Sequence, residues 1–209
     1  MKHDPTIKAV IFDMGGVLLR TEDQKPRQQM AERLGLTYQQ LSARVFDSDI
    51  AAQAMVGKVD EEDIWKDIQQ AYKLTADELA QLRSEFWAGD RIDFELIDWI
   101  RSLRKHYRTG LLSNAWTGAR RALSERFSFQ DVFDITIFSA EVGMVKPDAA
   151  IYQHTLQELK VAPAEAVFVD DFPENIAAAR KMGLHTVHFQ SREQALAELR
   201  DLLGLDENE

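Results

Sequence analysis

Asp13, Ser113 with Asn114, Lys146 and the pair Asp170-Asp171 each stand at or just after the end of a short apolar run. A carboxylate, a hydroxyl, an ammonium and two adjacent carboxylates are groups that could hold a phosphate and a cation. In Val10-Ile11-Phe12-Asp13-Met14-Gly15-Gly16 the carboxylate ends a strand, and two glycines let the backbone turn sharply and approach a ligand. The same aspartate also reads as a loop cap. Ser113 has two readings: an N-cap before a helix, or a hydroxyl that suits a phosphate oxygen at the mouth of a sheet. Lys146 is held by Pro147 just ahead of a helix, whose positive N-terminal end does not favour a cation, so an anionic group should lie nearby. Asp170-Asp171, closing Val167-Phe168-Val169, is the most specific signal. Two like charges about 4 Å apart repel by about 4 kcal/mol at an effective dielectric of 20, and Asp13 adds a third. A hard divalent cation resolves the conflict, and magnesium prefers carboxylate, water and phosphate oxygens.

Positioning these groups requires strands that end where they begin. Short apolar, β-branched runs at 7–12, 108–112, 134–138, 166–169 and 185–189 alternate with helical patterns near 92–105, 116–127, 148–160, 173–182 and 191–203. That rhythm predicts an α/β fold, a Rossmann-like parallel sheet with helices on both faces. Pro147 and Pro173 fit first helical turns, and Gly183 fits a helix end. Residues 20–89 break the rhythm with amphipathic helices and no convincing strand, so they read as an insert after the first strand. The expected division is a core of 1–19 and 90–209 and a helical cap of 20–89 overhanging the carboxyl end of the sheet, where open α/β folds bind ligands.

Composition narrows the chemistry. With 45% hydrophobic and 29% charged residues in 209, one substantial packed core is expected. The absence of cysteine removes disulfides, thiolate catalysis and cysteine-bound zinc. A net charge of -10 argues against nucleic-acid binding, and Arg101, Arg104, Lys105, Arg108, Arg120 and Arg121 read as solvated helix faces. The hydrophilic start Met1-Lys2-His3-Asp4-Pro5 leaves no room for a secretory apolar segment, and no long apolar run follows, so the expectation is a cytoplasmic protein with no membrane partner. His185 and His188 fall on opposed faces of one strand, His3, His106 and His154 are scattered, and no metal site follows from them. Trp65, Trp87 and Trp99 read as packing; Trp116 reads either as packing or as pocket lining.

Taken in order and on that fold, Asp13, Ser113, Lys146 and Asp170-Asp171 resemble the four signature motifs of the haloacid dehalogenase-like hydrolase superfamily. The insert after the first motif is similar to the cap of its type-one members, and Phe12-Asp13-Met14-Gly15-Gly16-Val17 resembles the small sugar-phosphate phosphatases of that branch. The resemblance implies a magnesium-dependent phosphatase in which Asp13 attacks phosphorus and forms an aspartyl-phosphate that water hydrolyses. It further implies that Ser113, Asn114 and Lys146 bind the phosphoryl group and that Asp13, the Gly15 carbonyl and Asp171 hold Mg2+. Asp170 joins that acidic set, better placed with Asn175 for support through water or hydrogen bonds. The pattern departs at Gly15, where most phosphatases of the family carry a second aspartate as general acid and base. Two other readings stay open: a dehalogenase using the same aspartate, and a catalytically silent phospholigand-binding protein. The implied partner is a small phosphorylated substrate, such as a sugar phosphate; the helices carry no readable specificity code, and Arg44, Phe46 and the turn at Gly57-Lys58 are candidates to face the site.

Overall fold

Side chains buried on both faces of a sheet leave no room for polar alternation. The run Ala-Val-Ile-Phe makes β1 (Ala9–Phe12), every residue of it buried. The computed structural model describes residues 7–127 and 129–206; the hydrophilic start 1–5, with His3, and the last three residues of the expected core lie outside them. β2 (Leu19–Thr21) follows, then five helices: α1 (Lys25–Arg33), α2 (Tyr38–Phe46), α3 (Asp49–Met55), α4 (Glu61–Tyr72) and α5 (Ala76–Phe86). β3 (Asp90–Ile92), α6 (Phe94–Leu103), β4 (Arg108–Ser113), α7 (Ala119–Ala122), β5 (Ile135–Phe138), α8 (Ser139–Val142) and α9 (Ala149–Leu159) come next. β6 (Ala166–Asp170), α10 (Pro173–Lys181), β7 (His185–His188) and α11 (Arg192–Leu203) complete the order.

The main sheet runs β5-β4-β1-β6-β7 with all four pairings parallel. Strand alternation divides its core in two. Val10, Phe12, Leu111, Val167 and Val169 pack under α6 and α11 on one face. Ala9, Ile11, Leu112, Ala166 and Phe168 pack under α9 and α10 on the other. The chain leaves central β1, builds outward through β4 and β5, then returns to β6 on the opposite side of β1. That reversal opens a crevice beyond the carboxyl ends of β4, β1 and β6, where such sheets bind ligands.

Helices α1 to α5 enclose a separate cluster that includes Met30, Leu41, Ile64, Trp65 and Phe86. The sequence pattern predicts no strand near the ends of this insert. The structure pairs β2 antiparallel with β3 there, Thr21 opposite Asp90. Three residues per strand, none of them buried, are too few to show a period of two. The two connections are tied further. Glu22 and Asp23 donate backbone N–H groups to the Gly89 carbonyl at 3.1 and 3.2 Å. Arg27 in α1, its side chain 7% exposed, forks onto both Asp90 oxygens at 2.9 and 2.8 Å and also donates to the Phe86 carbonyl. Gly89 is required by close approach, since a Cβ there would lie 1.8 Å from the Asp23 carbonyl oxygen.

Other boundaries shift for local reasons. Asp93 accepts from the Leu96 N–H and starts α6 at Phe94 rather than 92. The helix expected over 116–127 begins only after Gly118, at φ +91°, and widens into a π turn over Leu123–Phe127. Pro147 does not occupy a first helical turn: it precedes Asp148, the N-cap of α9, and follows Lys146 through a cis peptide bond. Pro173 is the first residue of α10, as expected. Among the described residues no helix is long and apolar enough to cross a membrane.

Candidate active site

β1 ends at Phe12, and the next backbone N–H, that of Asp13, donates to the Val169 carbonyl of β6 at 2.9 Å. This bond carries the strand pairing one residue past β1 and sets the Asp13 carboxyl beside the acidic end of β6. Asp13 is 6% exposed and Asp170 fully buried. Lys146, 4% exposed in the segment between α8 and α9, reaches both: its Nζ lies 2.8 Å from Asp13 Oδ1 and 2.7 Å from Asp170 Oδ2. The anionic neighbour required of this lysine is therefore two carboxylates. Its ammonium also sits 5.5 Å from the centre of the Phe168 ring.

Each partner is fixed by further bonds. Met14 N–H donates to Asp13 Oδ1 at 2.7 Å, so both bonds use Oδ1 and neither uses Oδ2. Asn175 Nδ2 spans the Asp170 oxygens at 3.0 and 3.1 Å, and the Phe172 N–H donates to Oδ1 at 2.8 Å. Asp170 is thus engaged on both oxygens. Tyr152, which sequence reasoning missed, donates its hydroxyl to the Asn175 carbonyl at 3.1 Å from inside α9. Asn114 clamps the lysine segment: its Nδ2 donates to the Lys146 carbonyl at 2.9 Å, and its Oδ1 accepts from the Lys146 N–H at 2.8 Å. Ser113 is the last residue of β4 and is buried, five residues before α7 begins to cap, so it is not an N-cap. Ser139 accepts from the Ala115 N–H at 2.9 Å and fixes the loop that follows.

The third carboxylate completes the crowding. Ligand oxygens of Asp13, Asp170 and Asp171 lie within 4.8 Å of one another. Asp171 Oδ1 is buried without a hydrogen-bond partner. Gly16, at φ +75°, packs so close that a Cβ would lie 2.1 Å from Asp171 Oδ2. Burial pushes the Asp13 carboxyl up from 3.8 to about 7; Lys146 opposes that rise and Asp170 adds to it. Burial, then Asp170, also raises Asp171. An orphaned buried oxygen among crowded carboxylates fits a hard divalent cation, with Asp171 supplying the unpartnered oxygen. Gly15, also expected there, is exposed, with nothing within 4 Å of a Cβ added to it. His188, on the end of β7, places Nε2 3.0 Å from the Asp171 carbonyl oxygen.

Of the cap positions expected beside the site, Arg44 is paired with Asp67. Gly57 packs against the Ala140 carbonyl, and Phe46 stacks on Trp116. Thr117 joins the two layers, accepting from the Glu61 N–H at 3.3 Å and donating to Asp60 Oδ1 at 3.0 Å.

Comparison with known proteins finds related phosphatases. Over 200 residues the chain is 30% identical to the sesquiterpene phosphatase astK of Aspergillus oryzae, covering 95% of this chain and 98% of that one. It is 28% identical to the D-ribitol-5-phosphate phosphatase of Bacteroides thetaiotaomicron, covering 86% and 90%. A family enzyme of Bacteroides thetaiotaomicron, solved in complex with magnesium and inorganic phosphate, shares its fold at a TM-score of 0.74 and 22% identity, covering 89% of this chain and 96% of that one. Residues 7–183 match the haloacid dehalogenase-like hydrolase family over a span that holds Asp13, Ser113, Lys146 and Asp170-Asp171, and the chain belongs to that family.

Proposed function

We propose that the protein is a magnesium-dependent phosphatase that hydrolyses a small phosphorylated metabolite through an aspartyl-phosphate on Asp13. The observation that carries this reading is the buried contact of Asp13 with Lys146 beside the unpartnered Asp171 oxygen. Lys146 and Met14 engage Oδ1, which leaves Oδ2 to attack phosphorus. The Oδ2–P bond forms as the P–O bond to the alcohol breaks, and the alcohol oxygen departs with the bonding pair and takes a proton from water. Water then attacks phosphorus, which frees the Asp13 carboxylate and inorganic phosphate. Ser113 and Lys146 bind the transferring oxygens, with Asn114 holding the lysine backbone in place. Asp13, the Gly15 carbonyl and Asp171 would hold magnesium, whose charge offsets the repulsion between carboxylate and phosphate. Asp170 and Asn175 keep the Lys146 ammonium aimed at Asp13.

In this reading residues 1–19 and 90–209 form the catalytic core and 20–89 the cap. The separate hydrophobic cluster of α1 to α5 supports that division. A cysteine-free sequence is in keeping with work in the cytoplasm. The test is hydrolysis of p-nitrophenyl phosphate with magnesium. Activity should disappear with chelator and in Asp13→Asn. Turnover that survives Asp13→Asn would overturn the proposal, as would metal-independent release of halide from a haloacid in place of phosphate release.

A further inference from the structure

The loop that leaves β4 after Ser113 and Asn114 does not stay on the sheet. Three residues beyond Ser113, Trp116 joins the hydrophobic cluster of α1 to α5. Its ring stacks on Phe46 with centroids 5.4 Å apart and planes at 22°, and it meets Trp87 edge-on at 6.3 Å. Phe46 in turn lies 6.2 Å from Trp87. Trp116 is 7% exposed, while Phe46 and Trp87 are half-buried and keep apolar surface. An aromatic wall therefore starts within a few residues of the phosphoryl-binding pair.

Several polar groups around the wall are already paired. Arg27, over the Phe86 ring at 4.2 Å, is spent on Asp90 and the Phe86 carbonyl. Trp65 Nε1 donates to Glu61, and Arg44 is paired with Asp67. Trp116 Nε1–H is buried and has no acceptor. Such a donor left bare is penalised, so a buried orphan points to a missing partner. A polyol would need several convergent donors and acceptors, because every hydroxyl taken from water without one is penalised. One buried, unpartnered N–H on an aromatic wall matches a ligand with an oxygen at one end and hydrocarbon beyond it.

Resting on the phosphatase reading above, we infer that the substrate is the monophosphate ester of a hydrophobic aliphatic or isoprenoid alcohol. Its hydrocarbon lies on Phe46, Trp87 and Trp116, and the Trp116 N–H donates to an oxygen at the ester end. Trp116 is then a specificity-determining residue, and the sugar phosphate expected from the sequence is the poorer substrate.

The experiment measures magnesium-supported phosphate release from n-alkyl monophosphates of rising length, from farnesyl monophosphate, and from hexose and pentitol monophosphates. Expected is a rise in kcat/KM of at least tenfold from butyl to decyl phosphate, carried mainly by KM, with farnesyl monophosphate at least tenfold above the sugar phosphates. Farnesyl monophosphate against decyl phosphate separates an isoprenoid from a straight chain. Trp116→Phe, which keeps the ring stack and removes the donor, should lower kcat/KM severalfold at every length and preserve the response to length. Trp116→Ala and Phe46→Ala should flatten that response; the slope is read rather than the absolute rate, with circular dichroism to confirm folding. A flat or falling length dependence, or sugar phosphates ahead of alkyl phosphates, overturns the inference and leaves the phosphatase reading standing. No hydrolysis of any ester, p-nitrophenyl phosphate included, overturns both.

Discussion

Replacing Asp13 with Asn should abolish activity and, without metal, make the protein more stable at alkaline pH. Burial holds the folded-state Asp13 carboxyl at about 7 against an ordinary 3.8. Below about pH 4 the group is protonated in both the folded and unfolded chain. Between about pH 4 and 7 the unfolded chain has released the proton while the folded chain retains it, so stability falls as pH rises through that window. At ~1.36 kcal/mol per pH unit the gap amounts to ~4 kcal/mol once pH exceeds 7. Asn mimics the neutral carboxyl. Its Oδ1 can still accept from the Met14 N–H, and Lys146 keeps Asp170, so no buried cation is left unpaired. Guanidinium unfolding of both proteins in chelator from pH 4.5 to 8 reads the difference. The Asn variant should gain up to ~4 kcal/mol at pH 8, with the gain shrinking to about 1 kcal/mol at pH 4.5. Magnesium should restore the wild type more than the variant. A variant no more stable than wild type at pH 8, or a difference that ignores pH, would show that burial imposes no such penalty on the charged carboxyl.

Two other substitutions probe the same crevice. Gly16→Ala places a methyl 2.1 Å from Asp171 Oδ2 at a φ of +75°, and should cost about 1–3 kcal/mol of stability and raise the magnesium concentration for half-maximal activity at least tenfold; an unchanged metal titration would contradict the packing argument. A Cβ at position 15 meets nothing within 4 Å, and Gly15→Asp supplies the proton donor that this position lacks. General acids contribute about 10² to 10⁴ in rate, so kcat on alkyl monophosphates should rise at least tenfold, and more than on p-nitrophenyl phosphate with its weakly basic leaving group.

What was legible in the sequence follows from what local pattern can encode. β1 and β6 are apolar throughout because helices cover both faces, and the carboxylates at their ends stand out against that background. The crowding of Asp170 and Asp171 was readable from adjacency alone. The lysine's need for an anion was readable from helix polarity, though not that two carboxylates would share it. The β2–β3 ribbon was hidden because three residues carry no usable period. The Ser113 side chain was ambiguous because a serine before a loop and helix looks the same whether it caps or ends a strand. Tyr152 behind Asn175, and Trp116 stacked on Phe46, join residues far apart in the chain, and nothing in their own neighbourhoods announces the partner.

The hydrogen-bonded ribbon at the root of the helical layer makes that layer exchangeable. Thr21 and Asp90 face each other across one strand pair, so the ends of everything between them are only about 5 Å apart. Any folded unit whose two ends meet at that spacing can be spliced onto the ribbon without pulling on β1 or on the nucleophile that follows it. A lineage can in this way acquire new selectivity by swapping a cassette, while the machinery that cleaves the ester is inherited unaltered.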